Sequence, residues 1–266
     1  MRRALTFVQA VVTVLMSLFL LVPMLMSMAA GVTDNYFRGW RSGFTLRWLV
    51  QVWELYSDAI FLSLLIALLT LLVTLLIGVP AAYALSRSNK RLARTVEGLL
   101  VLPVAVPGLA SALGLLVVYG GFTAFRMSWL FIVVGHVIFT LPFMVRSVVA
   151  VCLSQNLKTL EEGAASLGAS FAQRFLTVVL PNIRSGILAG ALTVTTLSIG
   201  EFNLTWMLNT PTTKTLPVGL ADAYASMRLE VGSAYTLIFF LMIVPLLVWM
   251  QTLGRPRAAR AKETSA

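Results

Sequence analysis

Charge is what this sequence has least of. Charged residues make up 11% of its 266 residues, where an ordinary soluble domain carries about a quarter. Hydrophobic residues make up 59%, so a water-soluble globule would lack the polar surface to cover its own interior. A bilayer, being an apolar solvent, removes that difficulty. Cysteine is nearly absent as well. Cys152 alone excludes an intramolecular disulfide framework and any Cys-rich metal site. Histidine is equally scarce: His136 has no second imidazole to share a metal with, and no His-Glu-x-x-His pair exists for a zinc protease. The Gly-x-x-x-x-Gly-Lys-Ser/Thr phosphate loop is missing too, so the chain is not expected to hydrolyse ATP itself. Nothing calls for a cofactor. Internal repeats, low-complexity tracts and linkers are also missing, and residues 1–266 read as a single transmembrane domain.

The charge that is present leans to one sign, with 20 Lys and Arg against 10 Asp and Glu. Such a surplus can serve nucleic acid. Here the basic residues cluster in short segments beside long apolar runs, which is a signal of membrane topology and argues against a nucleic-acid partner. A hydrocarbon core of about 30 Å takes roughly 20 apolar residues of helix. Six runs qualify: Phe7–Ala30, Ala59–Leu85, Val96–Gly120, Trp129–Val151, Ile183–Trp206 and Gly232–Leu253. They are continuous and do not alternate, so helices are expected rather than barrel strands. The expected fold class is an all-α integral membrane protein with six transmembrane helices embedded in the lipid bilayer.

Arg2 and Arg3 ahead of the first run also suit a signal peptide, and Ser27-Met28-Ala29-Ala30 resembles a cleavage site. The run is longer than the roughly 7–15 residues of a signal core, and it is read as a retained first span. With the N-terminus inside, the cytoplasmic segments hold Arg2, Arg3, Arg87, Lys90, Arg91, Arg94, Arg146, Lys158, Arg174, Arg184, Arg255, Arg257, Arg260 and Lys262. The outer segments hold only Arg38, Arg41, Arg47, Arg126, Lys214 and Arg228. The positive-inside bias then places both termini in the cytoplasm. Two outer loops are long, Gly31–Asp58 and Met207–Val231. Pro80, Pro103, Pro107, Pro142 and Pro245 fall in or beside spans, where each removes a helical hydrogen bond. Gly186 and Gly190 allow the fifth span to approach a neighbour closely.

Between the fourth and fifth spans, at about 155–181, the sequence predicts two short helices instead of a plain connector. Thr159 and Glu162 have capping-box spacing, as do Ser170 and Gln173. Leu160, Ala164, Leu167 and Phe171 form one apolar stripe, Phe171, Phe175 and Val178 a second, and Gly168 suits the left-handed residue between the helices. The stripe has two uses, docking on a partner or packing against the ends of its own spans, and its periodicity favours neither.

The same segment carries a family resemblance. Glu162-Gly163-Ala164, three residues, Gly168, nine residues, then Val178-x-Leu180-Pro181 resembles the EAA signature of ABC importer permeases, which has Glu-Ala-Ala, Gly and Ile-x-Leu-Pro at the same spacing. Gly163 stands in place of the first Ala and Val178 in place of Ile. Leu102-Pro103-Val-Ala-Val-Pro107-Gly108 and Thr215-Leu216-Pro217-Val218 extend the likeness along the chain. The resemblance implies the type I ABC importer permease fold in a bacterial inner membrane. The implied partners are cytoplasmic ATPase subunits, a second permease subunit (a copy or a related chain) and a periplasmic solute-binding protein. It also implies that Glu162 and Gly168 give the polar contact and the turn of an ATPase-coupling loop, with Ala164, Leu167 and Phe171 as its apolar contacts.

Glu201 and His136 are the ionisable groups expected within spans. Glu201, with Asn203, stands near the outer end of the fifth span, either facing the translocation path or pairing with Lys214 or Arg228. His136 reads as a satisfied buried imidazole. The Gly200-Glu201-Phe202 run resembles permeases for polyamines, ferric ion, thiamine and 2-aminoethylphosphonate, with 2-aminoethylphosphonate first and a polyamine second. An ion-coupled secondary transporter and a non-transporting membrane scaffold are the rival classes.

Overall fold

The computed structural model describes residues 2–88, 90–155 and 157–254. The basic residues Arg255, Arg257, Arg260 and Lys262 lie outside the described residues. In chain order the helices are α1 (Arg2–Ala30), α2 (Arg47–Arg87), α3 (Lys90–Ala105), α4 (Gly108–Tyr119), α5 (Thr123–Arg126) and α6 (Trp129–Ser154). They continue with α7 (Leu157–Ser166), α8 (Phe171–Arg174), α9 (Leu180–Ile199), α10 (Asn203–Leu208), α11 (Leu216–Ala225) and α12 (Leu229–Gly254). Five stretches are long and apolar enough to cross a bilayer: α1, α2, α6, the run from α8 through α9, and α12. A sixth span results if α3 and α4 are taken together, although they meet at 100°.

Packing divides the chain into two compact units, Met1–Asp58 with Gly219–Ile243, and Ala59–Val218 with the chain from Val244. In the first unit the expected outer loop Gly31–Asp58 is shorter than its sequence suggests, because α2 begins at Arg47. The residues before it are folded. Thr33 and Phe44 form an isolated antiparallel bridge, the Trp48 indole donates to the Thr33 carbonyl at 3.0 Å, and the Glu230 carboxylate accepts from the Tyr36 amide at 2.9 Å. Gly31 lies so close to α12 that a Cβ there would stand 2.4 Å from the Ala234 nitrogen.

The second unit has its core between α6 and α9. Gly186 and Gly190, four residues apart, lie on the face of α9 that meets α6. A Cβ on Gly186 would come within 2.8 Å of the Ser147 carbonyl oxygen, and one on Gly190 within 2.7 Å of the Met144 sulfur. The Ser147 hydroxyl donates to the Gly186 carbonyl at 2.9 Å. Around this crossing Val145, Val148, Val179, Ile183 and Val194 are buried together with Val79 and Ala82 of α2. Close approach of small residues is the main source of helix association in an apolar solvent, where burial of apolar surface gives no gain.

Three boundaries differ from the sequence reading, each for a local reason. The third span, expected over Val96–Gly120 with prolines bending it, is divided into α3 and α4. Pro107 takes an extended conformation (φ −52°, ψ 135°), proline biases the residue before it away from helix, and the chain turns there. The fifth span does not continue to Trp206, since α9 ends at Ile199 and α10 restarts at Asn203. Helix also precedes Pro181: α8 passes into α9 through a π-helical turn, Phe175–Val179. Proline can neither donate to the carbonyl four residues back nor tolerate it at close range, and a wider turn relieves both. Asn182 then donates to the Val178 carbonyl at 2.7 Å.

Replacing Gly186 by Leu should separate α6 from α9, at a cost of at least about 2 kcal/mol. The expected result is a clearly lower midpoint of thermal unfolding in detergent, while Gly163→Ala, at a position with open space around it, leaves the midpoint close to native.

Candidate functional site

The segment from α7 to the start of α9 folds as a helix–turn–helix. Gly168 is left-handed (φ +84°). Its amide donates to the Ala165 carbonyl at 2.9 Å and the Ala169 amide to the Ala164 carbonyl at 3.1 Å, the paired bonds of a Schellman stop. Ser170 and Gln173 form the expected capping box, with reciprocal bonds of 2.8 and 3.3 Å. The first box does not form a start, because α7 begins at Leu157 and Thr159 is already inside it. Glu162 instead lies exposed, 3.8 Å from Lys158 one turn back.

The apolar stripe faces outward. Leu160 is 47% exposed, Leu167 89% and Phe171 61%, with Ala164 half-buried. Leu180 is half-buried, and Pro181 is exposed in the first turn of α9. So the structure keeps Glu162, Gly163, Ala164, Leu167, Gly168 and Phe171 together on one folded projection. The buried side of α7 is a different one, holding Leu157 and Glu161. Glu161 accepts from the Tyr83 hydroxyl at 2.7 Å and is ion-paired with Arg87. Sequence reasoning missed this carboxylate. The available signal was its spacing: Glu161 is four residues from Leu157 and therefore on the same face.

Along α9, Asn182, Ser185, Ala189, Thr193, Thr196 and Gly200 recur at three- and four-residue steps and share one side. All are exposed except half-buried Thr193. The threonine hydroxyls donate locally, Thr193 to the Ala189 carbonyl at 2.9 Å and Thr196 to the Leu192 carbonyl at 2.8 Å. This face is polar and small, whereas α1 exposes Phe7, Phe19, Leu20 and Met26.

At the far end of α9, about 30 Å of helix from Pro181, lies the break that holds Glu201. Its Oε1 accepts from the Leu204 amide at 2.8 Å, so the carboxylate closes the first turn of α10. Glu201 also enters the wall of a cavity of about 410 Å³ bounded by Pro103, Gly108, Ser111, Tyr119, Ile138 and other residues. Asn203, two residues on, is exposed. His136 pins both sides of the break: Nδ1 is 2.8 Å from the Ser198 hydroxyl on α9, and Nε2 is 2.7 Å from the Thr205 hydroxyl on α10. With both ring nitrogens occupied and 1% of its surface exposed, the imidazole is the satisfied buried group that the sequence suggested.

A projecting helix–turn–helix with this spacing, joined to a bundle of membrane-length helices, is matched by the family model "Binding-protein-dependent transport system inner membrane component" over residues 74–258. The chain belongs to that family. This permease is 28% identical over 242 residues to the "Putative 2-aminoethylphosphonate transport system permease protein PhnV" of Salmonella typhimurium, covering 91% of each chain. It is 35% identical over 155 residues to the "Sulfate transport system permease protein CysW" of Escherichia coli, a match spanning about half of each protein (54% and 53%). It is 29% identical to the "Molybdenum transport system permease protein ModB" of Escherichia coli, over 76% of this chain and 96% of that one. The fold is that of a bacterial ABC transporter involved in the import of the acidic polysaccharide alginate, with TM-score 0.74, 17% identity and 96% of each chain covered. The permease is therefore the multi-pass inner-membrane component of an ABC importer and not its catalytic subunit. ATP hydrolysis belongs to a separate ATPase, and the family also works with a second permease and a binding protein.

His136→Ala should leave the Ser198 and Thr205 hydroxyls without their partner and open a void between α6, α9 and α10. The expected cost is about 2–4 kcal/mol, checked as a drop in thermal unfolding midpoint that His136→Gln recovers in part.

Proposed function

We propose that this permease forms half of the path for a small solute bearing a tetrahedral oxyanion, with 2-aminoethylphosphonate as that solute. The observation that carries this reading is the likeness to PhnV, which extends over 91% of both chains. The likeness to CysW, at higher identity over a shorter stretch, favours sulfate as the second reading. Sulfate and a phosphonate share the tetrahedral oxyanion, and a polyamine has none. Both termini face the cytoplasm, in line with the bias of the basic residues. The α7–α8 projection then docks on the ATPase through Glu162, Leu167 and Phe171, with Gly168 as its turn. The exposure of Leu160, Leu167 and Phe171 supports docking over packing against the chain's own spans.

The polar face of α9 lines the path, and Glu201 and Asn203 form its outer end. Two observations support this: large apolar residues are missing from that face, and its Thr193 and Thr196 hydroxyls already donate to the helix, which favours a smooth wall over a tight binding site.

The solute is tested by uptake of labelled 2-aminoethylphosphonate, sulfate and spermidine in cells with and without the permease gene. Loss of 2-aminoethylphosphonate uptake alone is expected. Loss of sulfate uptake alone selects the second reading, and loss of spermidine uptake alone overturns the oxyanion class. The path is tested with single cysteines in a Cys152→Ser background. A membrane-impermeant, water-soluble thiol reagent should label Ser185→Cys and Thr196→Cys in open vesicles but leave buried Ile183→Cys and Val194→Cys unmodified. Equal rates at all four positions would remove α9 from the path.

A further inference from the structure

We propose that Glu161 is a positioning residue that transmits movement of the docking loop to helix α2. The inference rests on the reading of the α7–α8 projection as the element that meets the ATPase.

Glu161 and Glu162 are adjacent in sequence but face differently. Glu162 lies on the exposed side of α7, while Glu161 is 5% exposed. A carboxylate in that position is costly unless its oxygens are paired and its charge is matched. Both conditions are met from a single helix. Oε2 accepts from the Tyr83 hydroxyl at 2.7 Å, and Oε1 takes the Arg87 guanidinium. Tyr83 and Arg87 are four residues apart near the C-terminal end of α2, with the guanidinium carbon 5.4 Å from the Tyr83 ring centre. The same ring lies 5.4 Å from Phe175 and 6.3 Å from Phe171, so Tyr83 touches the second helix of the projection as well as the first.

Besides its chain link back to α6, the projection has two connections to the membrane bundle. One is covalent, since α8, the π turn and α9 form a helical run from Phe171 to Gly200. A displacement of the exposed knobs reaches α9 through its backbone. The other is the Glu161 cluster, by which the same displacement reaches α2. Charge-assisted hydrogen bonds in a partly dehydrated site are short and directional, so they carry a shift of α7 into α2 where loose apolar contact would let α7 slide. Glu162 has an exposed side chain for a partner, and Glu161 ties the projection to its own bundle.

The test uses the complete transporter, with both permease subunits, the ATPases and the binding protein, reconstituted in liposomes. The probe is whichever of labelled 2-aminoethylphosphonate, sulfate or spermidine the native complex carries. Uptake and ATP hydrolysis are read on the same vesicles, and ATPase retention is read by co-purification. Glu161→Gln should retain the ATPase and its hydrolysis while uptake per ATP falls about tenfold, the scale of a modest coupling energy. Tyr83→Phe, which removes a single hydroxyl, should show a smaller fall in the same ratio. Exchanging the partners (Glu161→Arg with Arg87→Glu) should recover part of what Glu161→Arg loses. Native uptake per ATP in both Glu161→Gln and Tyr83→Phe overturns the proposal. So does loss of the ATPase from either variant, because that makes the cluster a simple support for the docking surface. Glu162→Ala with Gly168→Asp is run alongside: if that variant keeps the ATPase and full uptake, the docking reading itself fails, independently of Glu161.

Discussion

A backbone amide inside a bilayer has no water to bond with, so each interruption of a helix in this permease must be closed by a specific group. Three interruptions among the described residues show how. At Glu201 the carboxylate takes the Leu204 amide. Ahead of Pro181 the helix widens by a π turn, and Asn182 takes the Val178 carbonyl. At Pro107 the missing N–H belongs to a residue outside both flanking helices, and the Pro107 carbonyl accepts the Ala110 and Ser111 amides as α4 begins. These closures pair backbone groups at the places where long helices bend or break. The cavity beside Glu201, proposed as the outer end of the path, lies where the α3–α4 bend and the α9–α10 break face each other.

The second constraint is the source of cohesion. Apolar burial drives little association when the solvent is itself apolar, and contact distance takes over. The α6–α9 crossing shows this in its glycines. Gly186 and Gly190 bring backbone against backbone, and the Ser147 hydroxyl adds a bond across the gap. From that fixed pair the rest of the site is held at two ends. His136 of α6 fixes Ser198 and Thr205 on either side of the Glu201 break, and at the other end α9 continues through the π turn into the α7–α8 projection. A single helix thus joins the part proposed to meet the ATPase to the part proposed to meet the solute.

Much of this was legible before any coordinates. Long apolar runs with sparse charge give membrane helices whatever their neighbours, because the backbone must bond internally in lipid. The turn at Gly168 and the box at Ser170 and Gln173 were legible because caps are local, depending on residues within one turn. The Thr159–Glu162 spacing misled, since α7 starts earlier at Leu157 and the same residue types also occur inside helices. The uninterrupted fifth span failed for a related reason: an apolar run reports that a segment lies in lipid but not that it breaks at Glu201, whereas the prolines of the third span did signal its bend. The family likeness, carried by spacing within one loop, withstood these boundary errors.

The sequence by itself determined the solvent, the helical class, the location of the projection and the family, since each follows from composition or from spacing within a few residues. Only the tertiary structure decided which of two adjacent glutamates is buried. That depends on where the end of α2 places Tyr83 and Arg87, more than seventy residues away along the chain. It likewise decided that His136 spans the break beside Glu201, because Ser198 and Thr205 lie more than sixty residues away and are brought near by the α6–α9 crossing. Local chemistry specifies which groups a helix carries, and only packing specifies which of them meet.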